Sequence, residues 1–219
     1  MVLVFASNNA HKLEEVRAIM PAGVEVLSLH DIGFEAEIEE TGTTLEENSR
    51  IKAATVTAFI GERLKVKGER EIDGVFADDT GLEIDALDGK PGVYTARWYL
   101  MDGERLEVKG DRDIFHANRA KALRELEGKE NRGAQFRTVI TLIRLEDSAS
   151  HLQNATLQVE GVVRGRIAEE EYGEGGFGYD PIFIPEGYDK TFGELPAEVK
   201  NGISHRARAL QALVKYLTA

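Results

Sequence analysis

Short apolar runs alternate with amphipathic stretches through the first half of the chain. The run VLVFA at 2–6 predicts a buried strand, and the alternating VEVLSL at 24–29 predicts a second strand. Between them, apolar residues recur at helical spacing behind Asn8 or Asn9, either of which can cap a helix. The order strand, helix, strand is typical of the α/β folds.

A glutamate-rich stretch follows and ends in TTLEEN. In it Thr43 with Glu46, or Thr44 with Glu47, has the spacing of a capping box, which predicts a helix reaching about residue 60. The next segment, 61–74, is charged and bounded by glycines. It is predicted to be a surface connection or a short hairpin.

The second half of the chain changes character. A helix is predicted near 112–127 with Asp111 as its cap, and the runs 134–145 and 155–167 have the period of two expected of antiparallel strands. A terminal helix is predicted from about Ser204. These elements predict a mixed α/β protein in which a long mixed sheet with flanking helices forms two lobes around a central groove.

Composition narrows the classes of function. The 219 residues carry a net charge of −12, which argues against a nucleic-acid binder held by basic faces. The absence of cysteine excludes disulfides, thiolate metal sites and thiol nucleophiles. The first residues, MVLVFASNNAHK, show no basic leader and only a short apolar run, so we expect a soluble, cytoplasmic protein without a membrane partner.

Two adjacent acids carry the clearest chemical signal. Asp78 and Asp79 follow an apolar run, and the next residues, Thr-Gly, predict that the strand ends in a turn before a second strand-like run. Together with Glu39 or Glu40, these carboxylates have the hard oxygen ligands that Mg²⁺ takes. Paired carboxylates also serve glycoside hydrolysis, but the nearby lysines favour phosphate. The pattern does not separate Asp78 from Asp79.

A second signal lies in SNNAHK at 7–12, directly after the first predicted strand. A strand that turns into a helix through small polar residues presents free backbone N–H groups, which suit phosphate, and Lys12 adds a positive charge. The same stretch also fits a plain helix cap. It therefore supports a phosphate site only in combination with other residues.

Two further motifs lie near the carboxyl terminus. GEGGFG at 173–178 matches G-x-G-x-x-G, but YDPIFI follows it instead of a helix, so dinucleotide binding is rejected. It is predicted to be a glycine-rich turn that brings Phe177, Tyr179 and Asp180 against a flat ligand. In SHRARAL, His205 and Arg206 oppose the dipole of the predicted helix, a conflict that often marks a functional site.

Five blocks in this order carry a family resemblance: FASNNAHKLEEV, EETGTTLEENSRIKA, FADDTGLEIDALDGKPGVYTAR, GGFGYDPIF and KNGISHRARAL. They resemble the inosine triphosphate pyrophosphatase family, also called Ham1-like. The resemblance implies one domain over 1–219 with two lobes. It also implies hydrolysis of ITP, dITP and XTP to the monophosphate and pyrophosphate with Mg²⁺, by a cytoplasmic homodimer.

The resemblance also implies roles for individual residues. Asp79 would accept the proton of the attacking water, and Glu39 and Asp79 would bind Mg²⁺. Phe177 would stack on the base, and His205 and Arg206 would donate to its O6 atom. The substrate-binding residues that it implies are Ser7, Asn8, Asn9, Ala10, His11, Lys12, Lys52, Thr80, Phe177, Gly178, Tyr179, Asp180, Lys200, His205 and Arg206.

The chain departs from the family pattern at three places. Ser49 stands where alanine is usual, the connection that contains 61–74 is longer, and ARWYL replaces a tyrosine followed by small residues. Two alternatives stay open beside the main reading. One is a Maf-like pyrophosphatase acting on dTTP, UTP or modified nucleotides, and the other is a non-catalytic nucleotide-binding module.

Overall fold

A computed structural model of the chain describes residues 1–63, 71–102, 110–145 and 156–218. The α-helices in this part of the chain are α1 (Ala10–Ile19), α2 (Leu45–Arg63), α3 (Asp111–Glu125), α4 (Ala197–Ile203) and α5 (His205–Leu217). The strands are β1 (Val2–Phe5), β2 (Glu25–Leu27), β3 (Gly74–Ile84), β4 (Pro91–Gly92), β5 (Gly133–Arg144), β6 (Thr156–Ile167) and β7 (Phe183–Pro185). Among the described helices, none combines the length and the apolar character that crossing a membrane requires.

The seven strands of the described ranges form one sheet in the order β2-β1-β3-β5-β6-β7, with β4 paired to β3. β1 runs parallel to both β2 and β3, whereas β4 is antiparallel to β3 and β7 is antiparallel to β6. The prediction of a mixed α/β protein with a mixed sheet and flanking helices is therefore confirmed.

The chain divides into two compact units. The first contains Met1–Asp79, Thr138–Gly161 and Ala207–Ala219, and the second contains Thr80–Arg137 and Val162–Arg206. Because the divisions fall at 79/80, 137/138 and 161/162, the three long strands β3, β5 and β6 each contribute residues to both units.

The first unit buries both faces of its central strands. Phe76 of β3 stacks on Phe5 of β1 at 5.0 Å between ring centroids, in a cluster that includes apolar residues of α1 and α5. The neighbouring Val75 and Ala77 belong to a second cluster, with apolar residues of α2. Successive residues of β3 thus face different helices, as the pleat of a strand requires.

The second unit is built around one apolar cluster. Leu82 and Ile84 of β3 pack in it with Phe136 of β5 and Phe183 of β7, whose rings lie 4.7 Å apart. Trp98 is 3% exposed and belongs to the same cluster.

The predicted turn after Asp79 is wrong, because β3 continues without interruption from Gly74 to Ile84. Gly81 has a different reason to be glycine. A Cβ at this position would lie 3.0 Å from the carbonyl oxygen of Gly92, which β4 brings beside β3. The two acids are therefore side chains in the middle of a strand.

Helix α2 begins as one of the two predicted capping boxes requires. Thr44 Oγ1 accepts a hydrogen bond from Glu47 N at 3.1 Å, and Glu47 Oε2 accepts from Thr44 N at 3.3 Å. Hydrogen bonds from Thr43 are the largest influence that lowers the pKa of the Glu47 carboxyl. Thr44 with Glu47 is thus the correct pair.

Other predicted boundaries need correction. α2 continues through Gly61 to Arg63, so the predicted connection at 61–74 does not begin at 61, and 64–70 lie outside the described residues. Asp111 is the first residue of α3, after the cap residue Gly110. The helix predicted from about Ser204 does begin at His205, but the separate short helix α4 before it was missed.

Candidate active site

The end of β1 leads directly into the first predicted site segment. Asn9 has extended backbone geometry and its Oδ1 accepts a hydrogen bond from Lys12 N at 3.1 Å, so Asn9 is the cap of α1. Ser7 Oγ accepts from Asn9 N at 3.3 Å, which holds the turn. The other members of this segment are exposed: Asn8, Ala10 and His11.

Two lysines from two helices meet the adjacent acids of β3. Lys12 of α1 places Nζ 3.0 Å from Asp78 Oδ1, and Lys52 of α2 places Nζ 2.7 Å from Asp79 Oδ1. The alternation of the strand explains the arrangement, because Asp78 faces the side of Phe76 and Asp79 faces the side of Ala77.

Lys52 contacts a third carboxylate. Its Nζ lies 3.1 Å from Glu40 Oε1, and its side chain is only 8% exposed. We call Lys12, Glu40, Lys52, Asp78 and Asp79 the acid–lysine cluster.

Burial and the neighbouring charges shift the pKa values of Asp79 and Lys52. Burial raises the pKa of Asp79 above its ordinary value, although Lys52 and Lys12 oppose the shift. Burial alone would lower the pKa of Lys52, but the carboxylates of Asp79, Glu40 and Asp78 together raise it. Carboxylates outnumber ammonium groups among these five residues, so the cluster favours an added cation.

Glu40, and not Glu39, contacts Lys52. Glu39 is exposed, and the described residues contain no preformed group of three or more His, Cys, Asp or Glu side chains able to hold a metal ion. The two carboxylates that share the Lys52 ammonium nevertheless fit Mg²⁺, which commonly takes one or two carboxylates and completes its shell with water and phosphate.

A buried asparagine that the sequence motifs did not single out positions the acidic loop. Asn48 of α2 is fully buried, and its Oδ1 accepts a hydrogen bond from Gly42 N at 2.8 Å. A Cβ at Gly42 would lie 2.6 Å from that oxygen, so the close approach requires glycine. The contact therefore fixes the loop at Gly42, two residues after Glu40, to Asn48, which lies one helical turn before Lys52.

A second group of predicted site residues lies in the second unit. Asp180 Oδ2 accepts hydrogen bonds from Lys200 Nζ and from Phe177 N, both at 2.7 Å. Lys200 Nζ lies 4.7 Å from the centroid of the Phe177 ring, and Arg206 Cζ lies 5.8 Å from it. Both distances are in the range of cation–π contacts. We call Phe177, Asp180, Lys200 and Arg206 the aromatic–cation cluster.

Arg206 is 2% exposed, and its Nη2 lies 3.4 Å from Thr80 Oγ1. His205 is also buried, with its ring 4.7 Å from that of Phe136. The guanidinium and the imidazole that the sequence singled out are thus held inside the second unit. They supply hydrogen-bond donors close to an aromatic ring.

Contacts within the second unit fix Tyr179 and the glycines around it. Tyr179, which is predicted to contact a flat ligand, is 3% exposed and donates its hydroxyl to the carbonyl oxygen of Thr95 at 3.0 Å. Burial raises the pKa of this phenol. A Cβ at Gly176 would overlap the Asp180 carboxylate, and Gly178 is half-buried with φ 62°.

Comparison with known proteins gives consistent results. A sequence model of the Ham1 family matches residues 3–216. A dITP/XTP pyrophosphatase of Flavobacterium johnsoniae is 43% identical over 219 residues, with 100% of this chain and 99% of the relative covered. The dITP/XTP pyrophosphatase of Bacillus subtilis strain 168 is 44% identical over 219 residues, with 99% of this chain and 96% of the relative covered.

Solved structures give the same result. The Staphylococcus aureus Ham1 protein is similar with a TM-score of 0.77 and 34% identity, over 100% of this chain and 98% of that one. A nucleoside-triphosphatase / dITP/XTP pyrophosphatase from Mycobacterium abscessus has a TM-score of 0.68 and 38% identity, over 98% and 99%.

Proposed function

The chain belongs to the Ham1 family, and on that premise we propose that it hydrolyses ITP, dITP and XTP to the nucleoside monophosphate and pyrophosphate. Such a reaction removes non-canonical purine nucleotides from the nucleotide pool. The observation that carries the proposal is the acid–lysine cluster, in which the buried Lys52 joins Asp79 and Glu40. Transfer of a phosphoryl group needs positioned cations and a carboxylate more than it needs covalent chemistry.

The acid–lysine cluster would serve the triphosphate. Asp79 would hold Mg²⁺ together with Glu39, as the resemblance implies, or with Glu40, whose carboxylate contacts Lys52. When bound, the metal would neutralise phosphate charge. Lys12, Lys52 and the backbone N–H groups at the start of α1 would contact phosphate oxygens.

Asp79 would accept the proton of the water that attacks the α-phosphorus. A carboxylate whose pKa is raised by burial holds a proton more readily at neutral pH than an exposed carboxylate does. Asp78 is also buried and paired with a lysine, Lys12, so the resemblance and not this geometry assigns the proton acceptor to Asp79.

The aromatic–cation cluster would serve the base. Phe177 is only half-buried, so its ring could stack on a purine. Arg206 and His205 would donate hydrogen bonds to O6 of a 6-oxo purine. Adenine would be rejected because its amino group leaves such buried donors unpaired.

We further propose Mg²⁺ as the metal, the cytoplasm as the location and a homodimer as the working assembly. The resemblance implies all three. Light scattering of the purified chain tests the assembly, since the 24.2 kDa chain would give about 48 kDa as a dimer. A mass near that of one chain would contradict it.

Pyrophosphate release with Mg²⁺ from ITP, dITP, XTP, dGTP, dATP and dTTP tests the function. We expect strong turnover of the first three only. Turnover of dTTP instead would favour a Maf-like pyrophosphatase, and tight binding of ITP without turnover would favour a nucleotide-binding module.

Two matched variants then separate the metal-binding alternatives. We expect Glu40→Gln to raise the Mg²⁺ concentration needed for half-maximal rate if Glu40 is the ligand, while its exposed neighbour Glu39→Gln leaves that concentration unchanged. The reverse result would assign the metal to Glu39.

A further inference from the structure

An arginine on α3 contacts both ends of the glycine-rich loop, which we define as residues 172–177. Arg119 Nη1 donates a hydrogen bond to the carbonyl oxygen of Gly178 at 2.8 Å, just after the loop. Its Nη2 lies 2.9 Å from Glu171 Oε2, just before the loop. One guanidinium therefore bridges the two stems, and its side chain is only 12% exposed.

The glycine-rich loop needs such an external constraint. Residues 172–176 are exposed, and Gly173 and Gly176 have φ angles of 79° and 69°. Glycines in this region lose more conformational freedom on ordering than other residues do, so the loop alone would populate many conformations. Gly175 N also donates to Gly193 O at 2.9 Å, and Tyr172 N donates to Pro181 O at 2.8 Å. These contacts restrain the middle and the start of the loop, whereas Arg119 joins the residues on both sides of it.

The last residue of the glycine-rich loop is Phe177, the ring of the aromatic–cation cluster. Asp180 holds the backbone of Phe177 through its N–H, and Arg119 holds the next carbonyl, that of Gly178. The peptide segment that carries the ring is thus fixed by an acid on one side and by a guanidinium on the other. Its orientation depends on both contacts.

The Arg119 guanidinium makes these contacts through its two terminal nitrogens, and its third nitrogen, Nε, is not hydrogen-bonded to any described residue. In the described part of the chain, Arg119 Nε is buried and has no hydrogen-bond partner. Its two terminal nitrogens make the contacts to Gly178 and Glu171. A lysine has a single donor nitrogen and would not reproduce this planar two-point geometry.

We propose that Arg119 is a positioning residue for the nucleobase, which closes the glycine-rich loop and holds the Phe177 ring in place for stacking. This inference rests on the proposed function, because that function assigns Phe177 to the base. Arg119 acts through Phe177 and Gly178. It therefore affects recognition of the base and leaves recognition of the phosphates unchanged.

The test compares a ligand with a base and a ligand without one. IMP, the expected product, and inorganic tripolyphosphate are used as inhibitors of ITP hydrolysis by the wild type, Arg119→Met and Arg119→Lys. We expect Arg119→Met to raise KM for ITP and the inhibition constant of IMP about tenfold, the loss typical of one charge-assisted contact. The inhibition constant of tripolyphosphate should stay within about twofold, and kcat within about threefold.

Arg112→Met is the matched control, because Arg112 lies on the same helix and is exposed. It should leave all constants unchanged, and Arg119→Lys should fall between the wild type and Arg119→Met. If Arg119→Met does not fold, Glu171→Gln keeps an acceptor but removes the charge. It should raise KM for ITP and the inhibition constant of IMP by a smaller factor and leave the inhibition constant of tripolyphosphate unchanged.

The outcomes separate the inference from the function on which it rests. Equal weakening of IMP and tripolyphosphate, or no change in either, would overturn the role of Arg119. A wild-type protein that neither hydrolyses ITP nor binds IMP would overturn the proposed function itself.

Discussion

Replacement of Lys52 by methionine tests whether the charges of the acid–lysine cluster stabilise one another. Lys52 Nζ contacts Asp79 and Glu40, and the side chains of Lys52 and Asp79 are 8% and 10% exposed. Removal of one partner from a buried ion pair leaves an uncompensated charge and costs about 3–5 kcal/mol. At about 2–4 °C per kcal/mol for a chain of this length, Lys52→Met should lower Tm by about 6–20 °C.

The loss of stability should depend on pH in a defined direction. Lys52 opposes the burial that raises the pKa of Asp79, so its removal raises that pKa further. An acid whose folded pKa lies above its unfolded pKa stabilises the fold when protonated and loses that contribution as pH rises. The difference in Tm between the wild type and Lys52→Met should therefore be largest at about pH 8 and smaller at about pH 5.

Thermal unfolding followed by circular dichroism at several pH values measures the effect. Arg17→Met is the matched control, because the Arg17–Asp31 pair has side chains 49% and 41% exposed and should contribute little. Equal Tm losses in the two variants, or a difference that grows toward low pH, would refute the electrostatic account of the cluster.

Three further predictions follow from contacts in the structure. Gly176→Ala should raise KM for ITP about tenfold, because the new Cβ would overlap the Asp180 carboxylate. Gly187→Ala is the control, because Gly187 also has a positive φ but has open space around it, and this variant should not change KM. Ser49→Ala should lower stability by about 1–3 kcal/mol in urea unfolding, because Ser49 Oγ lies 2.7 Å from the buried Thr141 Oγ1; an unchanged midpoint would contradict this. EDTA should abolish pyrophosphate release and added Mg²⁺ should restore it, whereas full activity in EDTA would exclude the proposed metal.

Long elements could be predicted from the sequence because their patterns are local. The apolar run that begins β3 is buried on both faces, and such strands have continuous apolar sequence. The Thr-Gly pair misled the prediction because Gly81 is required by a neighbouring strand, through its approach to Gly92. β4 has only two residues and leaves no periodic pattern to detect.

Residue types in the site could be predicted, but several of their partners could not. Strand alternation places Asp78 and Asp79 on opposite faces, but the lysine that each one meets depends on how the helices pack. Glu40 differs from Glu39 because Asn48 fixes the loop at Gly42. Asn48 and Gly42 both lie in the block EETGTTLEENSRIKA, but their spacing alone does not predict the contact.

Arg119 could not be predicted at all. It lies in a helix whose sequence carries no recognised motif, and its two partners are more than fifty residues away along the chain. Only the packing of α3 beside the glycine-rich loop makes its role visible.

Analysis of the products of ITP hydrolysis in ¹⁸O-labelled water tests the central claim most directly. Attack of water on the α-phosphorus should give equal amounts of IMP and pyrophosphate, with the label in IMP, and Asp79→Asn should form neither product. Three results would contradict a pyrophosphatase that works through Asp79: the products are IDP and phosphate, the label is found in pyrophosphate, or the Asp79→Asn variant keeps full activity.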